Sequence, residues 1–140
     1  ARWRVREAVA MALQRLGGGD LARLLDTVTA WADDPDPLVQ RAALAGVCEP
    51  RLLVTEVARD VALDLCSRVT RSLADRPADR RADPPIRTLR QGLGYCWSVA
   101  VAADPVQGLP RFLALADQDD RDVAWIVREN RRKKRLAGFL

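Results

Sequence analysis

Asp36-Pro37-Leu38-Val39-Gln40-Arg41-Ala42-Ala43-Leu44-Ala45-Gly46 decides the fold, because its shape returns three more times in the chain. Val5/Ala8/Ala12, Val39/Ala42/Gly46, Ile86/Leu89/Leu93 and Val123/Ile126/Asn130 share offsets of 0, +3 and +7, which a helix gathers into one narrow stripe. Asp36, Asp83 and Asp120 each stand three residues before their stripe, where a short acidic side chain caps the first free N–H groups of a helix. Four such units imply repeat architecture, since one amphipathic hairpin buries its apolar face only against the next.

On either side of this unit the chain reads as more helix. Residues 2–16 place Val5, Ala8, Val9, Ala12, Leu13 and Leu16 on one face, and Gly17-Gly18-Gly19 should end that helix with left-handed or extended backbone. Asp20 caps a helix to about Ala32 with Leu21, Leu24, Leu25 and Val28 inward, and Asp33-Asp34-Pro35 breaks it. The cap-plus-proline start at Asp36-Pro37 recurs at Asp83-Pro84 and Asp104-Pro105. Residues 51–74 read as the longest helix, roughly 36 Å at 1.5 Å per residue, with Val54, Val57, Ala58, Val61, Leu65, Val69 and Leu73 inward.

Arg76 to Asp83 lacks periodicity and has nearly balanced charge, so a solvated loop is expected there. Residues 84–103 form the next helix, with Ile86, Leu89, Leu93, Cys96, Trp97, Ala100 and Val101 inward. Pro110 would strike the Val106 carbonyl in a straight helix, which predicts a turn after Asp104 and a helix from about Leu109 to Ala116. The last helix is predicted from Arg121 to Ala137, with Gly138 as its left-handed cap and Phe139 folding back.

Bulk composition narrows the function. The 140 residues are 49% apolar and 30% charged, enough for one domain with its own core. With 5% aromatic residues and much Ala, Leu and Arg, the chain favours helix over strand. There is no His, which removes the commonest general base and metal ligand. Cys48, Cys66 and Cys96 are far apart with no C-x-x-C, so they read as reduced, packed thiols and not as a disulfide framework or zinc site. Asp117, Asp119 and Asp120 read as turn residues. Neither a cofactor nor a metal is expected. The longest uncharged run, Gln91 to Ala103, is 13 residues, too short to span a bilayer, and a cytoplasmic location is expected. Because Ala1 already sits in a helical pattern, the chain reads as the C-terminal part of a longer one.

Paired helices of this length with V-R-E-A and V-Q-R-A second helices, at Val5–Ala8 and Val39–Ala42, resemble HEAT repeats. The resemblance implies an all-α, right-handed α-solenoid of HEAT-like helical hairpins, an armadillo-type superhelix of about seven helices over residues 1–140. In the last third, Leu93-Gly94-Tyr95-Cys96-Trp97-Ser98-Val99-Ala100-Val101-Ala102-Ala103, Asp122 to Asn130 and Lys134-Arg135-Leu136 look like bacterial HEAT-repeat proteins grouped with DNA alkylation repeat proteins. That likeness implies a fold that cradles duplex DNA, some members excising alkylated bases through Trp and Asp.

Second helices line the concave side of such solenoids, and projection at 100° per residue places Gln40, Arg41, Arg87, Tyr95, Trp125, Arg128 and Arg132 on or near that face. Arginine suits phosphate contacts, and Trp125 and Tyr95 suit stacking; the same residues form hot spots for protein partners. Arg128 to Arg135 holds six basic residues and one Glu, a local +5, so the rest of the chain sums to about −1 of the net +4. The expected function is non-catalytic binding of protein or nucleic acid through the concave face, without membrane or metal. The alternative is a DNA-binding protein of the alkylation repeat type, an alkylated-base glycosylase among them. Asn130 falls in a core column, so its carboxamide is expected buried and tied to a loop of the preceding repeat.

Overall fold

The computed structural model describes residues 8, 9, 11, 12, 15 and 19–140. Among the described residues the chain is all-helical, without a strand. Six α-helices follow in order: α1 (Leu21–Ala32), α2 (Pro37–Val47), α3 (Glu56–Ala74), α4 (Pro84–Ala103), α5 (Pro105–Ala114) and α6 (Arg121–Arg131). Residues 8, 9, 11, 12 and 15 are also helical, so the count comes close to the seven expected. Short 3-10 turns occupy Ala78–Arg80, Leu115–Asp117 and Lys134–Leu136.

The helices begin where side-chain acceptors stand. Asp20, Asp36, Thr55, Asp104 and Asp120 accept from the N–H groups of Arg23, Leu38, Ala58, Gln107 and Asp122 at 2.9–3.2 Å. Asp83 departs from the pattern, for it makes no capping bond and pairs instead with Arg80 at 2.8 Å.

Helix α4 is the centre of the molecule. It packs on α2, α3, α5 and α6, and 10 of its 20 residues are buried, including the Ile86/Leu89/Leu93 stripe. The indole N–H of Trp97 donates to Thr70 Oγ1 of α3 at 2.9 Å, satisfying the only polar atom of a side chain buried for its size.

The direction of α6 along α4 follows from its contacts. Arg90 meets Asp122, Gly94 meets Trp125 and Ser98 meets Asn130, so both helices advance the same way. Helix α2 lies on the other side of α4, the Arg41 stem over Gly92 and Cys48 beside Cys96. Parallel helices separated by an intervening helix are what two successive hairpins produce when they stack.

Several expectations fail. The helix expected over residues 51–74 starts only at Glu56, because Thr55 supplies the cap; Val54 and Val57 are 73% and 63% exposed, and α4 is longer than α3. Helix α5 runs from Pro105 straight through Pro110. Pro110 and Val106 are both exposed, so the carbonyl deprived of its donor stands on the solvent side, where water substitutes. Helix α6 stops at Arg131: carried on at 100° per residue, Leu136 would point about 220° from Val123, and the break returns it to the core, fully buried.

No described glycine has positive φ, so Gly138 is not a left-handed cap; Gly19 is helical, and Gly17 and Gly18 lie outside the described residues. In the first unit Ala8 and Ala12, expected inward, are exposed, while Val9 packs on the core as expected; Val5, Leu13 and Leu16 lie outside the described residues.

Candidate functional site

Helix α4 leaves one row uncovered, Arg87, Gln91 and Tyr95, four residues apart and so aligned on one side of the helix. Beside it, α6 and its end expose Arg121, Arg128, Arg131 and Arg132. Arg87 of the first row and Arg121 and Arg128 of the second line a half-open cleft of about 660 Å³, together with Trp125, Arg81 and Ala82.

Of the residues expected on this face, Arg87 and Arg128 line the cleft and are exposed. Among the described residues neither has a carboxylate within salt-bridge distance. Tyr95 is 44% exposed and the Arg135 guanidinium stacks over its ring at 4.8 Å. Arg132 is exposed and pairs with Glu129 at 3.1 Å. Arg41 is half-buried, its stem packed over Gly92, so it belongs to the α2–α4 seam.

Trp125 is half-buried and largely spoken for. A Cβ on Gly94 would stand 2.8 Å from its Cζ3, so the ring lies directly on the α4 backbone, and the Arg90 guanidinium covers it at 4.2 Å. That stack is worth about 1–2 kcal/mol where the cation is desolvated. Gln40, expected on the open row, is 2% exposed; it donates to Ala32 O and Ser72 Oγ and accepts from Arg76.

The stretch from Arg76 to Asp83 is largely exposed, as expected of a solvated loop, with a short 3-10 turn at Ala78–Arg80, but two of its arginines are anchored. Arg76 donates to Pro35 O at 3.1 Å, and Arg81 donates to Ala74 O, Arg76 O and both carboxylate oxygens of Asp120, at 2.7–3.1 Å. Arg81 also reaches Asp122 at 2.9 Å, and Asp122 in turn takes Arg90 at 3.3 Å. The partners lie 39 to 41 residues away in sequence, beyond any local pattern. All four of these charged residues line the cleft.

Its electrostatics follow from burial and pairing. The hydrogen bond to Asp120 raises the Arg81 pKa despite partial burial. Burial alone would raise the Asp120 carboxyl, yet Arg81 and the Val123 and Asp122 N–H groups hold it below the usual value. Arg90 moves the other way: burial lowers its pKa, and the positive charge of Arg87 and Arg128 adds to the effect against Asp122. Arg87, Arg90 and Arg128 are thus one group of mutually repelling cations, only the middle one neutralised.

No family model, curated protein or solved structure matches this chain.

Asn130 carries the α4–α6 contact. Fully buried, its Oδ1 accepts from Ser98 N–H at 2.9 Å while Nδ2 donates to Leu93 O and Ile126 O at 2.9 and 2.7 Å. It grips the middle of α4, the helix facing α6, and not a loop as expected, because Gly94 lets α6 come close enough to reach that backbone.

The three cysteines, far apart in sequence, converge in the core, Cys48 and Cys66 Sγ atoms 4.0 Å apart with Cys96 beside them. Contact with Cys66 and burial push Cys48 well up, and contact with Cys48 and burial do the same to Cys96, so neither thiol is poised for nucleophilic chemistry. Among the described residues no group of His, Cys, Asp and Glu is placed to hold a metal ion, and no helix is long and apolar enough to cross a membrane.

Proposed function

We propose that the chain is a right-handed α-solenoid of HEAT-like hairpins acting as a non-catalytic module that binds an anionic macromolecule on the face made by α4 and α6. The observation that carries this reading is the exposed pair Arg87 and Arg128, held on adjacent parallel helices without carboxylate partners among the described residues. A surface that leaves charges unneutralised beside ones it neutralises fully favours an anionic guest by complementarity. Tyr95 with its stacked Arg135 extends the face and supplies the aromatic and arginine content typical of binding hot spots.

The test is charge reversal. Arg87→Glu with Arg128→Glu should abolish capture of the cross-linked partner from cells, whereas Arg111→Glu on the exposed side of α5 should leave it intact. Equal loss in both, or cross-links confined to α1, α3 and α5, would refute the face.

The basic run Arg131 to Arg135 beside Tyr95 favours a second reading, a DNA-binding protein like the alkylation repeat proteins. Duplex binding would weaken steeply with salt, the slope of log K on log salt reaching about −0.9 per phosphate contacted. A slope near zero excludes it, and release of methylated base from damaged duplex tests the excision activity.

A further inference from the structure

We infer that the cleft beside α4 and α6 is the seat of a phosphoserine or phosphothreonine in a protein partner whose flanking residues are neutral or basic. This rests on the binding-module reading and names the partner's chemistry.

Charge comes first. Five arginines and three aspartates line the cleft, leaving two positive charges unbalanced. A phosphate monoester carries about −1.5 to −2 at pH 7 and balances them, whereas a carboxylate neutralises only half. Arg81 is consumed by Asp120 and Asp122, and Arg90 by Asp122 and the Trp125 ring, so these are framework. Arg87, Arg121 and Arg128 are what remains, set against Asp119 alone; Arg87 and Arg128, on facing helices, each offer a planar fork that matches phosphate in a two-point contact. Both stand near enough to Arg90 for their charges to weaken its hold on its proton, and an anion between them relieves that repulsion.

The same lining argues against nucleic acid in this cleft. A strand carries one negative charge per about 3.4 Å of rise, so phosphates beside the first would meet Asp119, which is exposed at the rim. A phosphopeptide presents one concentrated dianion, and a basic neighbour in it gains from that same Asp119.

The experiment follows the Nε–Hε signals of Arg87 and Arg128 by NMR while O-phosphoserine is added. Next come a nine-residue peptide with phosphoserine between lysines, its unphosphorylated twin and a twelve-nucleotide single strand. Saturable shifts of both arginines and a phosphopeptide preference of about tenfold or more over its twin are expected. Arg87→Gln and Arg128→Gln should each remove that preference, and Arg87→Lys, which keeps charge but not the fork, should restore it only in part. Thermal melts should show all three folded.

Equal binding of the twin, an unchanged preference in the glutamine variants, or tighter binding of the single strand would overturn the assignment. If the phosphopeptide fails while charge reversal still abolishes partner capture, the phosphate inference falls and the binding module stands. If charge reversal has no effect either, both fall.

Discussion

A single carboxamide joins two helices at their backbones. Asn130 donates two hydrogen bonds and accepts one in a site closed to water, so truncation removes all three bonds between and along the two helices and leaves a void in their seam. Asn130→Ala should lower stability by about 1–3 kcal/mol, read from the urea midpoint. Asn130→Asp should cost at least as much, since it keeps the acceptor for Ser98 but sets a second carboxylate oxygen against the Leu93 and Ile126 carbonyls. Unchanged midpoints in both would contradict the role. That Asn130 is buried was legible from its place in the +7 column. Its partners were not, because a backbone atom has no sequence signature, and the same holds for Gln40 and for Arg81.

Helix positions were readable where a cap or periodic stripe marks them: Asp20, Asp36 and Asp120 start α1, α2 and α6 as expected, and α4 has the predicted bounds. Ends set by tertiary demands were not, as Leu136 shows by pulling the chain out of α6. The α4–α6 spacing rests on Gly94, whose added Cβ would stand 2.8 and 3.1 Å from two atoms of the rigid Trp125 ring and 3.4 Å from Glu129 Cβ. Gly94→Ala gains about 1 kcal/mol of helix propensity, yet overpacking of this kind costs about 1–3 kcal/mol, so the net change should be destabilising. Trp125 fluorescence should shift with it, and a variant more stable than the parent would show that the seam has room for a methyl group.

Across the whole molecule the ion chain Arg81–Asp120, Arg81–Asp122 and Arg90–Asp122 ties the α3–α4 connection to the start of α6. Arg81→Met leaves Asp120 without its guanidinium and Asp122 with only Arg90, and should cost about 3 kcal/mol. Because the folded Asp120 carboxyl lies below its unfolded value, the unfolded chain binds more protons there. The stability it contributes is therefore complete above about pH 5 and is lost as pH falls through the folded value. Urea midpoints between pH 7 and pH 3 should decline, and in Arg81→Met the part of that decline due to Asp120 should flatten. An identical decline in both proteins would remove Asp120 as its source. The candidate face was partly legible: periodicity identified Arg87, Tyr95 and Arg128 as outward, but not that Trp125 would be roofed by Arg90 or that aspartates would share the cleft. The ring laid on Gly94, the carboxamide pinned to Leu93 and Ser98, and the ion pair at Arg90 fasten one helix to the next at three levels along its length. A wall riveted this way resists reshaping, so under the proposed binding role adaptation would fall to the guest.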